Sequence, residues 1–394
     1  MDVKSFLAQF PDARWATPED NDTILELYRR LSMQGGVFNI TFVKDPDYFR
    51  FLRYEGPEHF VLLVENSDGV AEGMATLVMR PSYVGDKVEW VGHWSDLRFI
   101  RGRDRRSKFD WKVFMAAICD YGHEIEGWHG CKHWLGSFVM ANDRARAAFT
   151  AQETPFDLTP VASYQMINLL AHRPFGRGKL KQLKQAVPNL SVRVARTEDI
   201  GRLRAFLDTQ NRERALGYVY EGEHDELARR LESWDDFAIE SFYLASDAIG
   251  KLVGCLAPWD LSPGRRIVVD DFPTSLQVAA GLARGLGKSV PRPGEELRIL
   301  YLTTQEIDHT LRSAERRAVF SALLEALYAD PRVADYHMVA MTDYDRESLL
   351  DVIEPAFFTQ KTPTLLYAMT TPGTHEPVNE AHLRVHAGHE MCLT

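Results

Sequence analysis

The sequence predicts an α+β protein built from two tandem copies of one unit, and three observations predict it. Ser95 to Cys119 reads as a strand (Leu97, Phe99), then a basic turn (Arg101, Arg103, Arg105, Arg106, Lys108), then a helix (Trp111, Phe114, Met115, Ile118). Glu296 to Tyr328 repeats that order, and Asp104-Arg105-Arg106-Ser107-Lys108-Phe109 matches Glu315-Arg316-Arg317-Ala318-Val319-Phe320. The unit also restarts: Arg193 lies 179 residues after Arg14, and Glu198-Asp199 then falls on Glu19-Asp20. A period near 180 residues is domain duplication rather than a solenoid of short repeats.

The first unit can be followed in order. Met1 to Asp12 is a short leader with helical character, and Arg14 to Thr17 a short strand. Pro18-Glu19-Asp20 opens a helix, because Pro and acids suit a first turn. Ile24, Leu27, Tyr28 and Leu31 give it one apolar face, and Gly35-Gly36 ends it. Asp45-Pro46 opens a second helix carrying Tyr48, Phe49 and Leu52. His59–Glu65, Val70–Met79 and Lys87–Phe99 are strands of strand length and composition. The basic turn and its helix follow, ending near Gly122. Then come a strand over His133–Met140, a helix over Asn142–Ala151 and a strand over Ala162–Leu170. The main helix therefore sits between two parallel strands.

Ala171 to Leu190 has no apolar period and reads as a link. The second unit has a strand at Ser191–Arg196, helices from Glu198 and over His224–Ser233, and strands at Ser241–Ser246 and Lys251–Pro258. Gly264 to Pro293 is an excursion containing the glycine-rich helical piece LQVAAGLARGLGK, whose spacing fails the phosphate-loop pattern. Strands at Glu296–Thr303, Tyr336–Thr342 and Thr364–Met369 complete the sheet. The division is 1–172, 173–189, 190–374 and a tail, 375–394.

Composition narrows the function. A net charge of −10 over 394 residues disfavours a surface for nucleic acid or anionic membrane, so basic turns in an acidic chain suggest a small anionic ligand. Cys119, Cys131, Cys255 and Cys392 are scattered, as free thiols of a reducing compartment are. There is no signal-peptide core and no run of about 18 apolar residues, so the expectation is a cytoplasmic protein with no membrane partner.

This order with these motifs resembles the GNAT acyltransferase superfamily, present twice in tandem over nearly the whole chain. The resemblance implies two domains, each a mixed, mostly antiparallel sheet flanked by helices. It implies that the pantetheine arm of acetyl-coenzyme A or another acyl-coenzyme A lies where the central strand splays from its neighbour. It places the diphosphate on the turn and helix N-terminus that follow. Exposed N–H groups and the helix dipole favour an anion there, and arginines add charge-assisted contacts. Carried onto this chain, the binding residues are Leu97, Arg98, Phe99, Arg105, Arg106, Ser107, Lys108, Asn142 and Phe149, with Leu300, Leu302, Arg316, Arg317 and Ala318 in the second copy. Asn142, Ala145, Ala148 and Phe149 follow the family's N-x-x-A-x-x-L-Y spacing, with Phe149 where many members carry Tyr. Asp104 and Glu315 stand where the family has Arg or Gln, and neither turn holds a glycine.

Transfer to an amine needs a base and an oxyanion donor. The base candidates are His93 and Asp96, with Glu89 further off, and Glu296 in the second copy; the backbone near Leu97 to Phe99 is the donor candidate. The bland alternatives are a solvated helix start for the arginine pairs, a helix N-cap for Asn142, and core packing for Trp90, Trp94, Trp111, Trp128 and Trp134. His382, His386, His389 and Cys392 in the tail lack a fourth matched ligand, so no metal is expected. The functions carried forward are an acyl-coenzyme A-dependent N-acyltransferase acting on a small-molecule or peptide amine, an inactive binding protein of the same fold, and a transferase using charged tRNA.

Overall fold

The computed structural model describes residues 1–31, 39–100, 105–151, 154–271, 281, 290–374, 376–379 and 385–393. The first half runs α1 (Val3–Leu7), β1 (Ala13–Trp15), α2 (Asn21–Arg30), β2 (Asn39–Val43), α3 (Tyr48–Glu55), β3 (Glu58–Glu65), β4 (Ala71–Val84), β5 (Lys87–Phe99), α4 (Trp111–Tyr121), β6 (His133–Val139), α5 (Asp143–Thr150) and β7 (Asp157–His172). The second half runs α6 (Gly176–Lys184), β8 (Ser191–Val194), α7 (Ile200–Arg212), β9 (Gly217–Tyr218), α8 (Glu226–Ser233), β10 (Tyr243–Ser246), β11 (Leu252–Asp260), β12 (Arg266–Asp271), β13 (Ile299–Ile307), α9 (Ser313–Ala329), β14 (Met338–Tyr344), α10 (Leu350–Ala356) and β15 (Phe357–Thr370). The architecture is α+β: a 13-stranded mixed sheet flanked by helices, plus a separate pair of β2 with β12.

Short polar side chains set several helix starts. The carboxylates of Asp2, Asp47, Asp110 and Asp225 and the amide oxygen of Asn142 each accept a hydrogen bond from a first-turn N–H. That is why α3 begins at Tyr48 rather than at Asp45-Pro46. The expected helix stop at Gly35-Gly36, the turn residues 101–104, the LQVAAGLARGLGK piece apart from Gly281, and His382 lie outside the described residues.

The sheet order is β1-β3-β4-β5-β6-β15-β7-β14-β13-β11-β10-β8, with β9 against β4. Each half's closing strand lies in the other half's sheet. The late strand β15 pairs with β6 from Met369↔Trp134 to Thr364↔Val139, and the early strand β7 pairs with β14 from Leu169↔Val339 to Tyr164↔Tyr344. The two exchanged strands then pair with each other from Phe357↔His172 to Thr370↔Asp157. The β2–β12 pair also joins the halves.

The segment read as a featureless link contains α6. Its two glycines weaken the helical signal, and only Leu180 and Gly176 are fully buried. β2, β9, β12 and α10 were likewise not expected, since each is short and held by distant partners. The tail packs inward among the described residues: Val378, Ala387, His389 and Leu393 are all buried.

In each half a parallel pair brackets the main helix. β5 pairs with β6 from Val91↔His133 to Trp94↔Gly136, on either side of α4. β13 pairs with β14 from Ile299↔Met338 to Tyr301↔Ala340, on either side of α9. In both, pairing stops while the strands continue, leaving a fork. Trp134 anchors the first fork. A Cβ on Gly92 would sit 2.1 Å from its ring, and one on Gly122 2.4 Å, so only glycine lets the indole in.

The exchanged strands predict one cooperative unit. Unfolding followed by far-ultraviolet circular dichroism and by tryptophan fluorescence should give a single coincident transition; two resolved transitions would show the lobes to be independent.

Candidate functional site

Just past the end of pairing, the central strand of each half bulges. Asp96 on β5 has φ 49° and Thr304 on β13 has φ 48°, each opposite a register shift in the neighbouring strand. A bulge takes a residue out of the ladder and turns its backbone toward the fork. On the sheet face away from α4, the first bulge carries a charged network. Asp96 accepts from Lys44 Nζ at 2.6 Å, Tyr48 Oη at 2.8 Å and Arg98 Nη2 at 3.1 Å. Lys44 Nζ lies 4.5 Å from the Tyr48 ring centre and 4.8 Å from that of Phe51. Burial alone would raise the Asp96 pKa, but the Lys44 and Arg98 charges outweigh it and hold the carboxyl well below its ordinary range. A carboxylate gripped by two cations is a poor proton acceptor, so the expectation of Asp96 as base is corrected to a structural anion that fixes the bulge.

His93 is placed differently. Its Nε2 lies 3.2 Å from Ser137 Oγ on β6. Ser137 Oγ also accepts from Tyr164 Oη at 3.1 Å and lies 3.3 Å from His389 Nε2 of the tail. Burial, with Arg80 nearby, lowers the His93 pKa to about 4, leaving a neutral imidazole at neutral pH. Glu89 is engaged by His133 and Lys132. Glu296 forms an isolated bridge with Val268, eight residues before Thr304, or about 26 Å along an extended strand. The structure does not bring it to the fork, and that base expectation is also corrected.

On the α4 side, the first fork is lined by aromatics. Phe149 lies 4.8 Å from Phe138 and 4.7 Å from Trp111 between ring centres, with Leu97 and Phe99 partly buried beside them. Trp94, Trp128 and Trp134 are core residues. Asn142 caps α5 through Ala145 N.

The turn before α4 satisfies itself with carboxylates. Glu72 accepts from Arg106 N at 2.9 Å and Ser107 N at 2.8 Å, Asp12 from Lys108 N at 2.6 Å, and Asp110 from Lys112 N at 2.9 Å. Arg105 lies against Ser107 and the Phe109 carbonyl, Arg106 pairs with Asp68, and Phe109 is buried against Phe10 and Phe114. The turn's amides are thus taken by carboxylates, two of them supplied from β4 and from the segment before β1. Arg98 is buried, donating to the Tyr28 and Leu31 carbonyls as well as to Asp96.

In the second half the matched hexapeptide is not the structural equivalent of the first. Asp104 to Phe109 precedes α4, whereas α9 already begins at Ser313, so Ala318 and Phe320 are fully buried in its interior. The expectation of Ala318 at the phosphate turn is therefore corrected. Arg316 pairs with Glu347 at 3.0 Å and Arg317 with Asp351 at 2.6 Å, while Leu300 and Leu302 are core residues. At the second bulge, Thr304 N donates to Glu390 of the tail at 3.1 Å, and fully buried Arg230 reaches both Glu390 oxygens. Among the described residues no His, Cys, Asp or Glu cluster could hold a metal ion.

Sequence reasoning missed Ser137, Tyr164, Lys44, Arg230 and Glu390. Nothing local marks them, although His389 was noticed as a tail histidine. No protein-family model matches the sequence, and no curated protein matches it. Solved structures do. The fold is GNAT-like. Yeast (Saccharomyces cerevisiae) N-myristoyltransferase with bound myristoyl-CoA and inhibitors matches with TM-score 0.55 at 14% identity, over 96% of this chain and 87% of that one. A GNAT acetyltransferase from Sphaerobacter thermophilus matches with TM-score 0.51 at 13% identity, over 92% and 97%. The glucosamine N-acetyltransferase region of a fungal multi-domain β-N-acetylglucosaminidase matches with TM-score 0.55 at 9% identity, over 91% of this chain but only 38% of that one.

Replacing Asp96 with Asn should cost about 3–5 kcal/mol, because two buried cations lose their counter-charge. The depressed folded pKa means that Asp96 stabilises the fold above the ordinary carboxylate range, and that this contribution is lost as pH falls through and below about 4. Urea midpoints against pH should show that loss in the wild type and a flatter profile in D96N.

Proposed function

We propose that the protein is an acyl-coenzyme A-dependent N-acyltransferase acting on an amine of a small molecule or peptide by direct attack on the thioester. The observation that carries this is the first fork, where a bulged central strand has an aromatic-lined opening on its α4 face and a neutral histidine on the other. The fold supports it, since the matching structures include acetyl- and myristoyltransferases. The thioester carbonyl lies against the bulge backbone near Leu97, the acyl chain among Leu97, Phe138 and Phe149, and the diphosphate beside Arg105, Arg106 and Lys108. His93 takes the amine proton. The second lobe, the other member of a tandem pair, shapes the acceptor side. The four-part division at 172, 189 and 374 stands as a sequence division only, with β7 and β15 shared. Among the described residues no helix is long and apolar enough to cross a membrane; a cytoplasmic location belongs to this proposal.

A second reading, a binding protein without turnover, is favoured by one observation: Glu72, Asp12 and Asp110 already occupy the turn's amides. Titration calorimetry with acetyl- and myristoyl-coenzyme A, followed by thiol-release assays with glucosamine and free-amine peptides, separates the two. Binding with turnover supports the enzyme; binding without turnover supports the second reading. For the enzyme, His93→Gln should lower kcat by about 10²–10⁴-fold while leaving thioester binding intact.

A further inference from the structure

The cluster around Ser137 constrains its own protons. One hydroxyl oxygen has one hydrogen to give and two lone pairs to fill. Tyr164 donates to it at 3.1 Å, and two imidazole nitrogens face it at 3.2 and 3.3 Å. One imidazole must therefore donate to Ser137 and the other must accept from it, so His93 and His389 hold opposite tautomers at their Nε2 atoms. His93 is partly exposed beside the fork, whereas His389 is buried. Arg80 holds the tail in place by donating to the Gly388 carbonyl at 2.8 Å and the Leu216 carbonyl at 3.0 Å. The serine lies on β6, the first histidine on β5, the tyrosine on the exchanged strand β7 and the second histidine on the tail.

We propose that Ser137 and His389 are positioning residues that relay the acceptor's proton away from His93, so that the tail completes the first-lobe site. This rests on the acyltransferase reading above. The amine nitrogen forms its bond to the acyl carbon, the carbon–sulfur bond breaks, and the thiolate keeps the bonding electrons. The departing N–H proton goes to His93 Nδ1. The His93 Nε2 proton passes to Ser137 Oγ, and the Ser137 proton passes to His389 Nε2. Solvent then returns that proton to the released thiolate, which closes the balance. Both imidazoles start neutral because desolvation and the nearby Arg80 charge disfavour the protonated ring, with His93 adding to the effect at His389.

The experiment uses the full chain with acetyl- and myristoyl-coenzyme A as donors and glucosamine or a free-amine peptide as acceptor. Nitrogen-15 NMR of the histidines should show His93 protonated at Nε2 and His389 unprotonated there; the reverse assignment overturns the relay without reference to turnover. Ser137→Ala and His389→Gln should lower kcat by about 10-fold or more with thioester binding unchanged, and Ser137→Thr should restore most of it. A proton inventory in mixed light and heavy water should be curved for the wild type and linear for S137A. Turnover in S137A equal to wild type, with both folded by circular dichroism, overturns the relay alone. A wild type that releases no thiol with any of these pairs removes the acyltransferase reading and the relay together.

Discussion

The antiparallel pairing of β7 with β15 is the constraint on which the rest of the molecule depends. Because each strand is delivered by the opposite half, the sheet runs unbroken through both lobes, and neither lobe has its full complement of backbone partners alone. Unpaired ladder groups in a buried sheet are costly, so the exchange binds the two halves more firmly than surface contacts would. It also places Tyr164 beside Ser137, which no arrangement of the first half alone would ensure.

The two forks share geometry but differ in what fills them. At the first bulge an anion, Asp96, is neutralised by Lys44 and Arg98 from the same half. At the corresponding position in the second, Thr304 offers its amide to Glu390, and Arg230 supplies the balancing charge. The second fork is thus occupied by the tail's carboxylate, while the first keeps a partly exposed histidine. This asymmetry is the ground for proposing the first lobe as the seat of the chemistry. One stretch of chain serves both, since His389 and Glu390 are adjacent residues directed to different lobes.

Much of the fold was legible because it depends on local signals. Apolar runs such as His59–Glu65 and strand–turn–helix junctions such as Leu97 to Phe114 carry periodicity and capping that need no distant partner. The site was legible only where a residue type was informative by itself. His93 and Asp96 looked equally suitable on the central strand, and only the positions of Lys44 and Arg98 show Asp96 to be a pinned anion. Ser137 and Tyr164 look like ordinary strand residues. The matched hexapeptides misled because Ala318 and Phe320 fall inside α9, a register that spacing alone does not reveal.

By itself, then, the sequence determined most of the longer strands and helices, the restart near Arg193, and the basic turn ahead of Trp111, since these follow from side-chain pattern and short-range hydrogen bonding. Tertiary structure alone decided which strands adjoin, where the tail lies, and which titratable groups are neutral. Those outcomes arise from contacts that local pattern does not reveal, such as Lys44 with Asp96, 52 positions apart, and Ser137 with His389, 252 apart, where burial and neighbouring charge, not residue identity, set the chemistry.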